Sequence, residues 1–148
     1  MPKIFKFTVP MTPVGKERAR VAFQGNKIHA YTPDRTVFAE HKIKDVVEGK
    51  GAWFPEHQGV RVEATFYRPM PDNPTVNRLQ QICRGYNVPF LPVIAPDVDN
   101  YQKTLQDALN MIVYPDDCQV TDVHIKKRWV EKGQQPRIEF TLTEDDGT

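Results

Sequence analysis

Residues 60–67, VRVEATFY, alternate strictly, with Val60, Val62, Ala64 and Phe66 on one side. A period of two places them on one face of an extended chain, which predicts a strand in the core. A different beat runs through YQKTLQDALNMI at 101–112, where Leu105, Ala108, Leu109 and Ile112 recur every three or four residues. That spacing predicts an amphipathic helix buried on one face, with Asp99 or Asn100 placed to cap its first turn. Between these two elements lies an irregular stretch, 69–95, punctuated by five prolines, in which TVNRLQQICRGY can form a short helix.

The flanking segments follow the same logic. Ile4, Phe5, Phe7 and Val9 read as a first strand that Pro10 and Pro13 end. Val21–Phe23 and Ile28–Tyr31 read as a hairpin turning at Gly25-Asn26. Thr32-Pro33-Asp34 predicts a helix start with Thr32 as N-cap, running to about Glu48 with Ala39, Ile43, Val46 and Val47 inward. Beyond the central helix, Val120, Val123, Ile125 and Trp129 mark a strand with an imperfect beat. The turn Glu131-Lys132-Gly133 then leads to RIEFTL at 137–142 as a closing hairpin. The tail at 144–148 is expected to be flexible. Together these elements predict an α+β (α/β) fold: one domain over 1–148, with a mixed sheet packed against two main helices.

Composition changes this picture little. A chain of 148 residues is long enough for a core, and a net charge of +1 announces no polyanionic partner. The distribution of charge says more. Residues 1–50 hold ten Lys/Arg against five Asp/Glu, and residues 101–148 hold six against nine. A basic front and an acidic back would suit a protein that draws in a polyanion and keeps a metal beside it. Cys83 and Cys118 form neither a disulfide framework nor a metal-ligand pair, and His29, His41, His57 and His124 match no zinc motif. The chain opens with no apolar leader and contains no membrane-length run, so a reduced, cytoplasmic protein without membrane or organic cofactor is expected.

The acids of PDVDNYQKTLQDALNMIVYPDDCQ carry the candidate chemistry. Asp97, Asp99, Asp107, Asp116 and Asp117 fall within these residues, with Lys103 the one lysine among them. Hard divalent cations such as Mg2+ prefer carboxylate and water oxygens from a few protein ligands. Two carboxylates just ahead of a helix, joined by a third from beyond it, would make an open site able to admit a phosphodiester. The chain must fold back for Asp117 to meet Asp97 and Asp99. Lys103 could steady the developing negative charge, or pair with Asp99 and Asp107 four residues to either side. D-x-D-N before a helix is also an ordinary turn and cap, and Asp116-Asp117 an ordinary solvated loop. Spacing alone does not choose between these readings.

Elsewhere, Lys16, Arg18 and Arg20 alternate, so an extended segment would turn all three to one side. They read as a row of phosphate contacts or as a charged strand edge. Lys126, Lys127 and Arg128 form a second basic cluster.

PDVDNYQKTLQDALN followed by PDDCQV resembles the signature of the RusA family of Holliday junction resolvases, whose core reads roughly D-x-D-N-x-x-K-x-x-x-D-A-L and then D-D-x-Q. PVGKERARV and YTPDRTVFAEH also resemble the first third of its members. The resemblance covers about half of the chain. It implies a RusA-like fold, a homodimer, and Mg2+ or Mn2+ held by Asp97, Asp99 and Asp117. It puts the catalytic set at Asp97, Asp99, Lys103 and Asp117, with Asn100 and Asp116 behind the ligands.

The implied activity is paired, symmetric nicking of four-way junctions in DNA recombination and repair, in a bacterial or phage setting. Lys16, Arg18, Arg20, Arg68, Lys126, Lys127 and Arg128 would hold the DNA. A two-fold symmetric junction needs two matched cuts, which a C2 dimer supplies. Two alternatives stay open: a junction-binding protein of the same fold without cleavage, and a metal-dependent phosphoesterase with another nucleic-acid substrate.

Overall fold

The computed structural model describes residues 3–148, so the first two residues of the expected domain lie outside the described part. The chain runs β1 (Ile4–Val9), β2 (Arg20–Gln24), β3 (Lys27–Tyr31), α1 (Asp34–Val47), β4 (Val60–Arg68), α2 (Pro74–Gly85), α3 (Val98–Leu109), a 3-10 turn (Asp117–Gln119), β5 (Val120–Trp129) and β6 (Arg137–Glu144). Four strands form a mixed sheet in the order β1-β6-β4-β5, while β2 and β3 pair with each other alone. The α+β expectation with a mixed sheet holds. Among the described residues the α-helices number three, because α2 forms inside 69–95: Pro74 opens it, and the Asn73 side chain accepts from the Val76 N–H at 2.9 Å.

The alternation in β4 does what its period requires. Val60, Val62, Ala64 and Phe66 are buried on the face covered by α3, along with Ile138, Phe140 and Leu142 of the neighbouring β6. Tyr101 of α3 stacks on Phe66 with ring centroids 4.9 Å apart, and Leu105 and Leu109 are fully buried beside it. Each such side chain contributes about 1.5–3 kcal/mol relative to exposure. The opposite face of the sheet is polar: Lys6, Thr141, Glu63 and His124 form one row across its four strands.

Strands β4 and β5 are parallel, which demands a crossover, and α3 provides it. The expected closing hairpin is therefore absent. The turn at 131–133 forms, with Gly133 at φ 83°, but β6 enters between β1 and β4 and pairs antiparallel with both. That central place gives its apolar face neighbours on either side, and β5 takes the far edge of β4. The imperfect beat of β5 also has a cause. Val60 pairs with Val120 and Arg61 with Asp122, so Thr121 is the extra residue of a bulge.

Three boundaries differ from expectation. Pro33 rather than Thr32 is the N-cap residue of α1, which makes no side-chain cap bond. Thr36 joins Ala39, Ile43 and Val47 among its buried residues, while Val46 is only partly buried. The N-cap position of α3 is held by Asp97 rather than Asp99 or Asn100. It ends at Leu109, so Ile112 packs from the following turn and not from the helix. Past β6, the expected flexible tail begins with a tethered residue: the Asp145 N–H donates to the Gly59 carbonyl at 2.9 Å, and its carboxylate accepts from Thr121 Oγ1 at 2.6 Å.

Candidate functional site

The acids are arranged along α3 as a row. Asp99, Lys103 and Asp107 stand four residues apart, hence on one face, each about 6 Å further along the axis than the last. Asp97 closes the N-terminal end. Its ψ of 157° is extended, and its carboxylate makes no capping bond at the positive end of the helix dipole. The backbone leading into it is pinned from the sheet. Arg68 donates to the Ile94 carbonyl at 3.0 Å, and Lys127 Nζ donates to the Ile94 and Pro96 carbonyls at 2.9 and 3.0 Å.

Asp117 reaches the row from the other side. The chain leaves α3 through a turn in which Met111 takes φ 65°, and Tyr114 buries its ring and donates to the Gln106 carbonyl at 3.0 Å. Asp116 then caps the 3-10 turn. Its Oδ1 accepts from the Cys118 N–H at 3.2 Å, and its own N–H donates to Gln119 Oε1 at 3.3 Å. Gln119 Nε2 donates in turn to the carbonyls of Pro55 and Gln58, fastening the turn to the loop before β4. The reciprocal cap fixes the neighbouring Asp117, whose Oδ2 lies 3.6 Å from Lys103 Nζ. The D-D-x-Q pattern thus divides its labour: Asp116 and Gln119 build the turn, and Asp117 faces the helix.

The fold-back therefore occurs, and it brings Asp117 to Lys103 in the middle of α3. Lys103 Nζ sits 3.1 Å from Asp107 Oδ1 while approaching Asp117. The hydrogen bond and charge of Asp107, with a smaller contribution from Asp117, raise the Lys103 pKa and keep it an ammonium. Among the described residues, no three His, Cys, Asp or Glu side chains converge as metal ligands. Asp97 and Asp99 stand at the N-terminal end of α3, and Asp117 comes to the helix from the 3-10 turn at Lys103. The donor chemistry nonetheless fits a hard divalent cation, since the row offers carboxylate oxygens and already accommodates one positive charge between Asp107 and Asp117. Cys118 adds no thiolate: desolvation first, then the charge of Asp116, pushes its thiol up.

The basic residues separate into engaged and free groups. Lys16 lies 2.7 Å from Glu40 and 3.1 Å from Asp107, so its ammonium is spent inside the protein. Arg18 is exposed, and Arg20 is exposed beside Glu17 at 3.2 Å. Residues 14–19 are not a strand, and of the three expected phosphate contacts Lys16 alone is turned onto internal carboxylates. Lys126, Lys127 and Arg128 are likewise divided by the alternation of β5. Lys127 pairs with Phe66 on the helix-covered face, whereas Lys126 is exposed in register with Thr65. Arg68 also packs its guanidinium 5.4 Å from the Trp129 ring centroid. Asn100 serves the backbone: its carbonyl accepts from the Lys16 N–H at 2.9 Å and from Thr104 Oγ1 at 3.2 Å.

Sequence reasoning gave Asp107 only as a neighbour of Lys103, yet it is the carboxylate that joins two lysines. The four-residue spacing was its signal. Gln119 was legible as the far end of a D-x-x-Q capping box. Glu40 had no local signal at all.

Fold and site together define an α+β protein with an acid-and-lysine row along its crossover helix. The profile of the endodeoxyribonuclease RusA family matches residues 10–143, and the chain belongs to that family. It is also similar to an uncharacterized protein, YqaN, of Bacillus subtilis (strain 168). The two are 30% identical over 148 residues, which cover 94% of this chain and 95% of that relative. Membership of the RusA family implies nuclease action on Holliday junctions, and resolvases of the family are generally divalent-metal dependent. No helix among the described residues is long and apolar enough to cross a membrane.

Proposed function

We propose that this chain is a Mg2+-dependent endonuclease that resolves four-way DNA junctions by paired symmetric nicks, in recombination and repair. The observation that carries the reading is the Asp107–Lys103–Asp117 contact, set on the helix that Asp97 and Asp99 open, within a chain matched to the family over residues 10–143. Asp97, Asp99 and Asp117 would hold Mg2+ or Mn2+, which when bound supplies a nucleophilic water and neutralises charge on the attacked phosphate.

The protein's own groups have separate tasks. Lys103 has a half-exposed side chain and is held as an ammonium, so it can donate to a phosphate oxygen as charge develops there. Arg68 and Lys127 hold the carbonyls of Ile94 and Pro96 and thereby place Asp97. Asn100 ties the N-terminal segment to α3, and Asp116 aims Asp117. Arg18, Arg20, Lys126 and Arg128 remain to contact DNA arms, where such contacts add affinity without reading sequence. A C2 dimer would present two such rows to the two-fold axis of a junction.

The Lys103 ammonium already held between Asp107 and Asp117 favours a second reading, a junction-binding protein of the same fold that does not cut. A labelled four-way junction and a matched linear duplex, incubated with purified protein in Mg2+ or EDTA beside Asp99→Asn, separates the two. Nicks confined to the junction and lost with EDTA and with the substitution support the nuclease. Retarded junction without nicks in Mg2+ or Mn2+ supports the binder.

A further inference from the structure

The charges behind the site form an alternating chain: Glu40, Lys16, Asp107, Lys103, Asp117. Lys16 Nζ touches Glu40 Oε1 at 2.7 Å and Asp107 Oδ2 at 3.1 Å, while the other oxygen of Asp107 meets Lys103 at 3.1 Å. Asp107 therefore spends one oxygen on each lysine. The side chains of Glu40, Lys16, Asp107 and Asp117 are between 17 and 26% exposed, and Lys103 alone of the five, at 54%, opens to solvent.

The backbone of Lys16 is fixed as firmly as its side chain. Its N–H donates to the Asn100 carbonyl in the first turn of α3, and the next N–H, of Glu17, donates to Thr36 Oγ1 of α1. Gly15 lies so close that a Cβ there would come within 2.6 Å of Pro96 Cβ. Segment 14–17 is thus a strap across the N-terminal turns of α1 and α3, and Lys16 is the point where it grips both helices.

A phosphate contact has to offer its ammonium outward. Withdrawing that of Lys16 would leave Glu40 and Asp107 facing each other without a counter-charge in a partly shielded place, which is unfavourable. An isolated, solvent-exposed pair at four-residue spacing holds a lysine only weakly. Here Asp107 cannot turn away from Lys103, because its second oxygen is engaged.

We propose that Lys16 is a positioning residue that acts through Asp107 to hold Lys103 against Asp117, and that it does not contact DNA. Its role in cleavage rests on the nuclease reading above; its effect on Lys103 does not.

The test compares the full chain with Lys16→Met, Asp107→Asn and the double variant in two assays. The first is single-turnover cleavage of a four-way junction at saturating enzyme, alongside junction affinity over a salt series. Each single variant should slow cleavage about 10- to 100-fold, as loss of a ligand-orienting partner does. The double variant should be no slower than Asp107→Asn, since the two act as a unit. Affinity and its salt dependence should stay as in the parent. Weaker binding with a salt slope reduced by about one, at an unchanged saturating rate, would make Lys16 a DNA contact and overturn the proposal.

The second assay follows the Lys103 side-chain NMR resonances without metal or DNA. They should move in Lys16→Met, and unmoved resonances would overturn the proposal whether or not the protein cuts. If the parent cuts no junction, the nuclease reading fails and the resonances alone decide this inference. Should Lys16→Met not fold, Lys16→Gln is read in the same two assays.

Discussion

The Asp117 carboxylate lies 3.6 Å from the Lys103 ammonium, although fourteen positions of chain and a reversal of direction separate them in sequence. Neighbouring Asp116 turns instead to the Cys118 N–H, whose hydrogen bond holds its carboxyl below the usual carboxylate range. Adjacent, chemically identical residues therefore have different tasks.

Asp117→Asn should slow junction cleavage by at least about 100-fold, because it removes a carboxylate proposed to hold the metal, with little change in melting temperature. Asp116→Ala should instead lower the melting temperature as a lost cap and retain more activity. Parallel cleavage and melting measurements check the split; equal loss of activity in the two would contradict it.

Gly15→Ala should destabilise the protein by about 1–3 kcal/mol, because the added methyl meets the Pro96 ring and neither backbone can yield cheaply. Urea unfolding measures this. An unchanged midpoint would mean that the strap is not seated on α3 as described.

The two adjacent lysines of β5 should also behave differently. Lys127→Met loses charge-assisted bonds to two carbonyls and should cost about 1.5–3 kcal/mol. Lys126→Met, at an exposed position, should stay within about 0.5 kcal/mol. Thermal melts of both variants decide it, and a greater loss at Lys126 would reverse the assignment of faces along β5.

These contrasts mark where the sequence was readable. Strand β4 and the apolar stripe of α3 were legible because each follows from the local period of its own residues, Val60 to Phe66 and Leu105 to Leu109. The β2–β3 hairpin was legible from Gly25-Asn26, where Gly25 takes φ 64°. Partnership between strands was not. RIEFTL after a short turn looks like the second arm of a hairpin, and nothing local says that β1 and β4 will enclose it. The acids of the row were visible as residue types, but their placement along α3 depends on Gln119 reaching the carbonyls of Pro55 and Gln58. Lys16 looked like a DNA contact because its two carboxylates, Glu40 and Asp107, are remote in sequence.

At the end of β6 the bulge residue sets a pH dependence. The Thr121 hydroxyl first, then the Gly147 N–H and the charge of Arg61, hold the Asp145 carboxyl below its ordinary value of 3.8. A depressed carboxyl stabilises the fold above its unfolded value, and that contribution is lost as pH falls through the lower folded value. Thr121→Val should therefore melt below the parent at neutral pH, with the difference closing as pH drops below 3.8. A difference that stays constant across the acid range would mean that the hydroxyl does not act through Asp145.

The central claim, paired nicking of a junction by this carboxylate–lysine row, is tested most directly on a supercoiled plasmid that extrudes a cruciform. Two coordinated cuts in one binding event give linear DNA, and a single cut gives an open circle. With Mg2+ the protein should produce linear plasmid cut at the cruciform, and should produce none with EDTA or with Asp117→Asn. Equal cutting of a plasmid that lacks the cruciform, or cutting that persists in Asp117→Asn, would contradict the account.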